Sequence, residues 1–217
     1  VLGKTDNNSY FKKVKLPNNN IKKILFISGK IENRSNYRLY EKKVFKNLIS
    51  ICEKKNIKLF FREKPIPLNS SINCMPIIKR KLFYQKFFGS KNWNFLPHEM
   101  GVTQSVKKKY EQLTKFNFVV QLDSTLGYEL LSKGVKVVCV TDIFPITNLD
   151  VYFNKQKIGI FWTNKTDILS ILNKINSVIK ITFNKWKKIS NKFSTEIVSF
   201  DKNNLGKISI IKKILIK

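Results

Sequence analysis

Apolar positions along the chain fall into short continuous runs, which alternate with longer stretches where they recur every three or four residues. The run "IKKILFIS", residues 21–28, ends at Gly29 and reads as a buried strand. Across residues 37–56, Leu39, Tyr40, Val44, Leu48, Ile49 and Cys52 recur mostly at spacings of three and four, which predicts an amphipathic helix. "IKLFFRE", residues 57–63, is the next strand, broken by Pro65 and Pro67. Between residues 68 and 100, "MPIIKRKLFYQKFF" predicts a helix starting near Pro76, followed by Gly89 and a short strand around "WNFLP". "TQSVKKKYEQLTKF" opens as a helix and carries Val106, Tyr110 and Leu113 at helical spacing. "FNFVVQL" is a strand, "STLGYELLSKG" a helix closed by Gly134, "VKVVCV" a strand and "IGIFW" a short strand. Helices at residues 166–178, 184–197 and 205–215 complete the chain.

Strands that alternate with helices, and that are continuously apolar rather than alternating, predict a parallel sheet covered on both faces. The fold class is therefore α/β, a Rossmann-like doubly wound parallel sheet. Ligands in such sheets sit beyond the carboxyl ends of the strands, where helices begin. Chemistry is expected after Ser28, after Phe61, near Pro97, after Leu122 and after Val140. Residues 1–20 are polar and turn-rich and read as a linker or the tail of an upstream domain. Residues 21–200 form the Rossmann-like domain, and residues 201–217 a C-terminal helix.

Composition adds three constraints. With 42% apolar and 12% aromatic residues, 217 residues can fill a core. No apolar run approaches the roughly 20 residues that span a bilayer, and no secretion signal is visible. The three cysteines, Cys52, Cys74 and Cys139, are widely spaced and suit reduced thiols in the cytoplasm better than a disulfide frame or a zinc site. The net charge of +28 invites a nucleic-acid partner. Against that, only four arginines are present (Arg34, Arg38, Arg62, Arg80), and the lysines are spread over the whole length. Abundant Lys, Asn and Ile together look like the output of an AT-rich genome. A basic surface is still attracted to anionic headgroups, so contact with the inner face of the cell membrane is an expectation.

The segment "DSTLGYE", residues 123–129, lacks lysine and stands where a strand hands over to a helix. Two readings compete. Ser124 or Asp123 caps the helix and Gly127 lets it pack closely on a strand; or the helix's amino end, with Ser124 and Thr125, holds an anion. Glu129 is four residues after Thr125 and five after Ser124, so it does not complete a capping box, which needs the acid three residues on. It pairs with Lys133 on a solvated face, or it accepts hydrogen bonds from a ribose.

"VVQLDSTLGYELLSKGVKVV" resembles the nucleotide-sugar-binding half of GT-B glycosyltransferases, and within them bacterial surface-carbohydrate proteins related to polysialyl and glycerophosphate transferases. "VLG" with "KKILFIS" resembles the interdomain linker and first strand of that half, and "KLFFREKP" its second strand. "IGIFWTN" and "VSFDKNNLGKISIIKKIL" resemble its closing segments. The resemblance implies that Ser124, Thr125 and Gly127 hold the nucleotide phosphate and Glu129 the ribose hydroxyls. It also implies that Ser28 and Gly29 border the phosphates, that Arg62 and Lys64 neutralise phosphate or acceptor charge, and that His98 lies beside the base. The function implied is transfer of a sugar from a UDP- or CMP-sugar to a surface-polysaccharide or glycolipid acceptor, without a cofactor. The general base would normally come from the other half, so this chain alone would bind donor without turnover. No Asp-x-Asp motif appears, so no obligatory metal is expected. The alternatives are a sugar-nucleotide epimerase of the same architecture and a basic module for nucleic acid or acidic polymer. Arg62 alternatively reads as an edge charge in water; Arg34 and Arg38 decorate a solvated helix start or contact donor or acceptor. Cys139 reads as core, and Trp93, Trp162 and Trp186 as packing residues first, with Trp162 also a candidate pocket edge.

Overall fold

The computed structural model describes residues 21–29, 35–63, 75–97, 112–122, 124–140 and 159–193. Six strands form one sheet in the order β3-β2-β1-β4-β5-β6. They are β1 (Lys23–Ile27), β2 (Lys58–Arg62), β3 (Asn94–Leu96), β4 (Phe118–Gln121), β5 (Lys136–Val140) and β6 (Trp162–Thr163). Every neighbouring pair is parallel, with Ile27 opposite Arg62 in β2 and opposite Gln121 in β4. All of β4 and β5 is buried, as expected for strands covered on both faces.

The helices are α1 (Ser35–Lys54), α2 (Ile77–Phe88), α3 (Thr125–Ser132), α4 (Ile168–Lys180) and α5 (Phe183–Phe193). α1 packs against α2 and α4, while α3 packs against α5 on β4 and β5, so both faces of the sheet are covered. α1 buries Val44, Phe45, Leu48, Ile49, Ile51 and Cys52. Leu39, placed on that stripe by its spacing, is instead 63% exposed, because the inward face of the first turns turns on Tyr40 and Glu41. Phe45 belongs to an aromatic cluster, 4.3 Å from Phe88 and 5.2 Å from Phe61 between ring centroids. α2 begins directly after Pro76 and ends at Gly89, whose φ of 68° is the left-handed conformation that closes a helix.

α4 is capped at both ends by side chains. Asp167 accepts from the Ser170 N–H at 2.8 Å, and hydrogen bonds from the Ser170 side chain and then its N–H lower the carboxyl pKa. Lys136 reaches from β5 to the other end, donating to the carbonyls of Ile179 and Ile181 at 2.7 and 2.8 Å. α5 is fixed to α3 by Trp186, whose indole donates to the Gly134 carbonyl at 3.0 Å, and by Ser190, which donates to Leu131 at 2.6 Å.

One further expectation changes. Of the strand predicted at "IGIFW", only Trp162 joins the sheet, together with Thr163. Gly159 makes a turn instead, its N–H donating to the Trp162 carbonyl at 3.0 Å, and the glycine lies so close to the indole that a Cβ would sit 1.9 Å from it. Trp162 is buried against Phe161 and Phe193, in keeping with its reading as a packing residue. Cys139 is core, as expected, and Cys52 is also a buried free thiol. The helix predicted over "TQSVKKKYEQLTKF" is described only at residues 112–113, and that at 205–215 lies outside the described residues.

Helix α3 approaches the sheet closely at Gly127. A Cβ there would fall 1.7 Å from the Gln121 Oε1 and 2.2 Å from its Cδ. Gly127→Ala is expected to lower stability by about 1–3 kcal/mol through overpacking. In urea denaturation, Gln121→Ala/Gly127→Ala should recover most of that loss; a Gly127→Ala protein as stable as the wild type would refute the contact.

Candidate functional site

The chain winds outward from β1 through β2 to β3, then returns and winds the other way from β4 through β5 to β6. β1 and β4 are therefore neighbours whose connections leave in opposite directions. Beyond their carboxyl ends lies the crevice where doubly wound sheets take ligands. Ser28 and Gly29 leave β1 on one side of it, and Ser124 opens α3 on the other.

On the β1 side the backbone is held firmly. The Ser28 N–H donates to the Arg62 carbonyl at 3.0 Å, extending the ladder, and its hydroxyl donates to the Gly29 carbonyl at 3.4 Å. The Gly29 N–H donates to Glu41 Oε1 at 3.3 Å, so a buried carboxylate from α1 pins the loop as it leaves the strand. Glu41 escaped the sequence reading because a lone acid in an amphipathic helix looks solvated until the loop it serves is in place.

At the end of β2 the charges are buried and mutually satisfied. Arg62 is only 4% exposed and donates through Nη1 to the Pro97 carbonyl, which corrects its reading as an edge charge in water. It holds the end of β3 in register, and its burial follows from β3 covering β2. Glu63, buried next to it, forms an ion pair with Arg80 from the first turn of α2. One turn on, the buried Tyr84 hydroxyl has no hydrogen-bond partner. Its pKa is raised by burial first, then by Glu63 and Glu41, with Arg80 and Arg38 pulling it down. Six ionisable side chains, Arg38 and Glu41 of α1, Arg62 and Glu63 at the end of β2, and Arg80 and Tyr84 of α2, therefore gather near the carboxyl ends of β1 and β2. None but Arg62 and Arg38 drew attention in the sequence, since their partners lie far away along the chain.

At the end of β4, Gln121 is fully buried and donates to the Cys139 Sγ at 3.1 Å, while its Oε1 has no partner. Ser124 takes the N-cap position with extended backbone (φ −134°, ψ 124°), and its carbonyl accepts from the Gly127 N–H at 3.0 Å. Its hydroxyl makes no capping bond, which removes Ser124 from the capping reading, and the first turn of α3 carries no acid. That amino end retains its positive dipole, a setting suited to an anion. Gly127 meets the sheet through Gln121, as the packing reading required.

Glu129 and Lys133 follow on α3 at 2% and 3% exposure, so their face is covered and not solvated. Burial lowers the Lys133 ammonium pKa to about 8, and the Glu129 carboxylate opposes the shift. α5 and β5 close over this end of α3 and explain the burial. Of the remaining expected site residues, Lys64 and His98, with the side chain of Thr125, lie outside the described residues, as do Asp123 and Arg34. Ser28 and Gly29 after β1 and Ser124 at the start of α3 flank the switch point, while Gly127 lies against Gln121 of β4, Glu129 is buried one turn further along α3 and Arg62 lies on the β2 flank. Among the described residues no three His, Cys, Asp or Glu side chains converge as metal ligands, and no helix is long and apolar enough to cross a membrane.

Fold and site together define a Rossmann-like α/β domain with a helix amino end facing the sheet's switch point. Residues 2–215 match the family described as "putative O-antigen biosynthesis protein", and the chain belongs to that family. No curated protein matches the sequence. Among solved structures, the chain is similar to the UDP-GlcNAc 2-epimerase of Neisseria meningitidis bound to UDP-GlcNAc, at 14% identity and a TM-score of 0.49, over 93% of this chain and 46% of that one. It is similar also to S. aureus MnaA in a co-structure with UDP, at 14% identity and a TM-score of 0.45, over 84% of this chain and 47% of that one. The chain thus spans about half the length of those structures.

The burial of Lys133 has a consequence for stability. The folded chain releases this proton near pH 8, and the unfolded chain holds it to about 10.5, so the unfolded state binds more protons in between. Wild-type stability should therefore rise relative to Lys133→Met as pH climbs through that window. Urea midpoints measured in parallel across it test this, and parallel curves would show that Lys133 is not desolvated.

Proposed function

We propose that the chain is the donor-binding domain of a glycosyltransferase of surface-carbohydrate biosynthesis, one half of a GT-B architecture. The observation that carries this reading is the amino end of α3, which faces the switch point without a cap from Ser124 or an acid in its first turn. Membership of an O-antigen biosynthesis family supports a sugar-linked ligand there. In this reading the nucleotide phosphates lie against the α3 N–H groups with Ser124 and Thr125, and Glu129 takes the ribose hydroxyls. Ser28 and Gly29 border the phosphates, kept in place by Glu41. Lys64 adds charge, His98 lies beside the base, and Arg62 acts by holding the Pro97 loop. Catalysis would come from stabilising charge that grows on the departing nucleotide phosphate, by preorganised N–H dipoles and hydroxyls. Such a domain would work in the cytoplasm on a UDP- or CMP-sugar and a glycan or lipid-linked acceptor.

A sugar-nucleotide epimerase is the second reading. In that reading a buried carboxylate, Glu41 beside the loop after β1 or Glu129 on α3, would serve proton transfer at a sugar carbon. Ligand-observed NMR with UDP, CMP, GDP and CDP should find one saturable nucleotide. Thr125→Ala/Glu129→Ala should weaken it by about tenfold or more, equal to about 1.4 kcal/mol. Unchanged affinity would dismiss the pocket. Product analysis then separates the two readings: free nucleotide with sugar on an acceptor, or an isomerised sugar nucleotide.

A further inference from the structure

α2 carries no acid and presents an unusual outer face. Its inner side buries Arg80, Tyr84 and Phe88. On the opposite side Ile78 and Leu82, one turn apart, are 73% and 56% exposed, and Lys86 continues their stripe. Exposed Lys79 and Lys81 flank them, and Ile77 adds a further 46% exposed apolar side chain at the first turn. The outer face of a helix in a water-bathed protein is ordinarily polar. On α1 alongside, Leu39 is exposed together with Lys43 and Lys46, and the Lys42 ammonium lies 5.5 Å from the Phe87 ring centroid. By contrast, α5 has four lysines to the three of α2, yet buries Trp186, Ile189 and Phe193 and exposes only Phe183, at its first position, among its apolar residues.

We propose that the outer face of α2, with the adjoining surface of α1, docks on a bilayer containing anionic phospholipid. Apolar side chains at the centre of a ring of ammonium groups match a membrane interface, where they enter the acyl boundary while the lysines meet phosphate headgroups. A second copy of the chain is a poor occupant, because a two-fold contact would bring the same lysines face to face. A nucleic acid would engage the lysines but leave Ile78 and Leu82 in water. The surface also borders the carboxyl edge of the sheet, since Arg80 from the same turn as Ile77 and Ile78 pairs with Glu63 just beyond β2. Docking does not depend on the nucleotide reading, and its test needs no nucleotide.

The 217-residue chain is sedimented with phosphatidylcholine vesicles, with and without phosphatidylglycerol, at an ionic strength of about 0.15 M. Binding is expected only with phosphatidylglycerol. Both Ile78→Gln/Leu82→Gln and Lys79→Gln/Lys81→Gln/Lys86→Gln should bind about tenfold more weakly, with unchanged urea midpoints because all five side chains are exposed. Lys185→Gln/Lys187→Gln/Lys188→Gln on α5 should bind like the wild type. A wild type that ignores phosphatidylglycerol overturns the proposal. So does an Ile78→Gln/Leu82→Gln protein that binds as well as the parent, or an α5 variant that loses as much, since net charge alone would then account for binding.

Discussion

The parallel pairing of β1 with β4, Leu25–Ile27 against Val119–Gln121, is the contact on which the rest of the structure depends. These strands begin the two windings of the sheet, and only their adjacency makes the connections diverge. Without it there would be two smaller sheets and no crevice between the loop after β1 and the helix after β4. The pairing also dictates composition. A strand buried on both faces cannot carry exposed polar groups, so Ile24–Ile27 and Phe118–Val120 are continuously apolar. Gln121 is the exception, at the carboxyl end of β4 where the crevice begins. Its side chain occupies the space that Gly127 vacates, so helix and strand approach more closely than any side chain on α3 would permit.

Charge is managed by pairing rather than by exposure near the carboxyl edge. Isolated charges in a protein interior are costly, and here they appear in sets: Glu63 with Arg80, Glu41 with the Gly29 N–H, Arg62 with the Pro97 carbonyl. Each set ties a loop at the end of a strand to a neighbouring element. The result is a hydrogen-bonded rim on the β1–β2 side, facing a helix end whose own cap residue contributes no capping bond. That asymmetry, hydrogen-bonded backbone on one side and unspent dipole on the other, is the physical content of the site.

The net charge of +28 acquires a different meaning once the lysines are placed on surfaces. Among the described residues, the lysines of α5 flank a face that turns Trp186, Ile189 and Phe193 inward, and Lys136 serves the end of α4. α2 departs from that arrangement by turning Ile78 and Leu82 outward among lysines. Total charge alone therefore does not identify a partner; its arrangement around apolar side chains discriminates among partners.

The order of strands and helices, the parallel sheet covered on both faces and the turn after α3 at Gly134 were all legible in the sequence. Continuous apolar runs, three-to-four spacing and glycines at positive φ are local signals, and local rules govern them. Helix α2 and strand β3 were legible for the same reason, from Pro76, Gly89 and the aromatic run between them. Long-range relations were not. Leu39 has the spacing of a core residue and Arg62 the look of a surface one, and only the packing of α1 and the covering of β2 by β3 reverse them. Likewise Glu129 and Lys133 have the i,i+4 spacing of a solvated pair until α5 closes over them. Sequence determines what a segment becomes because backbone propensity and periodicity act within a few residues. Which side chains lose their water is decided by elements distant in the chain, and that only the tertiary structure could settle.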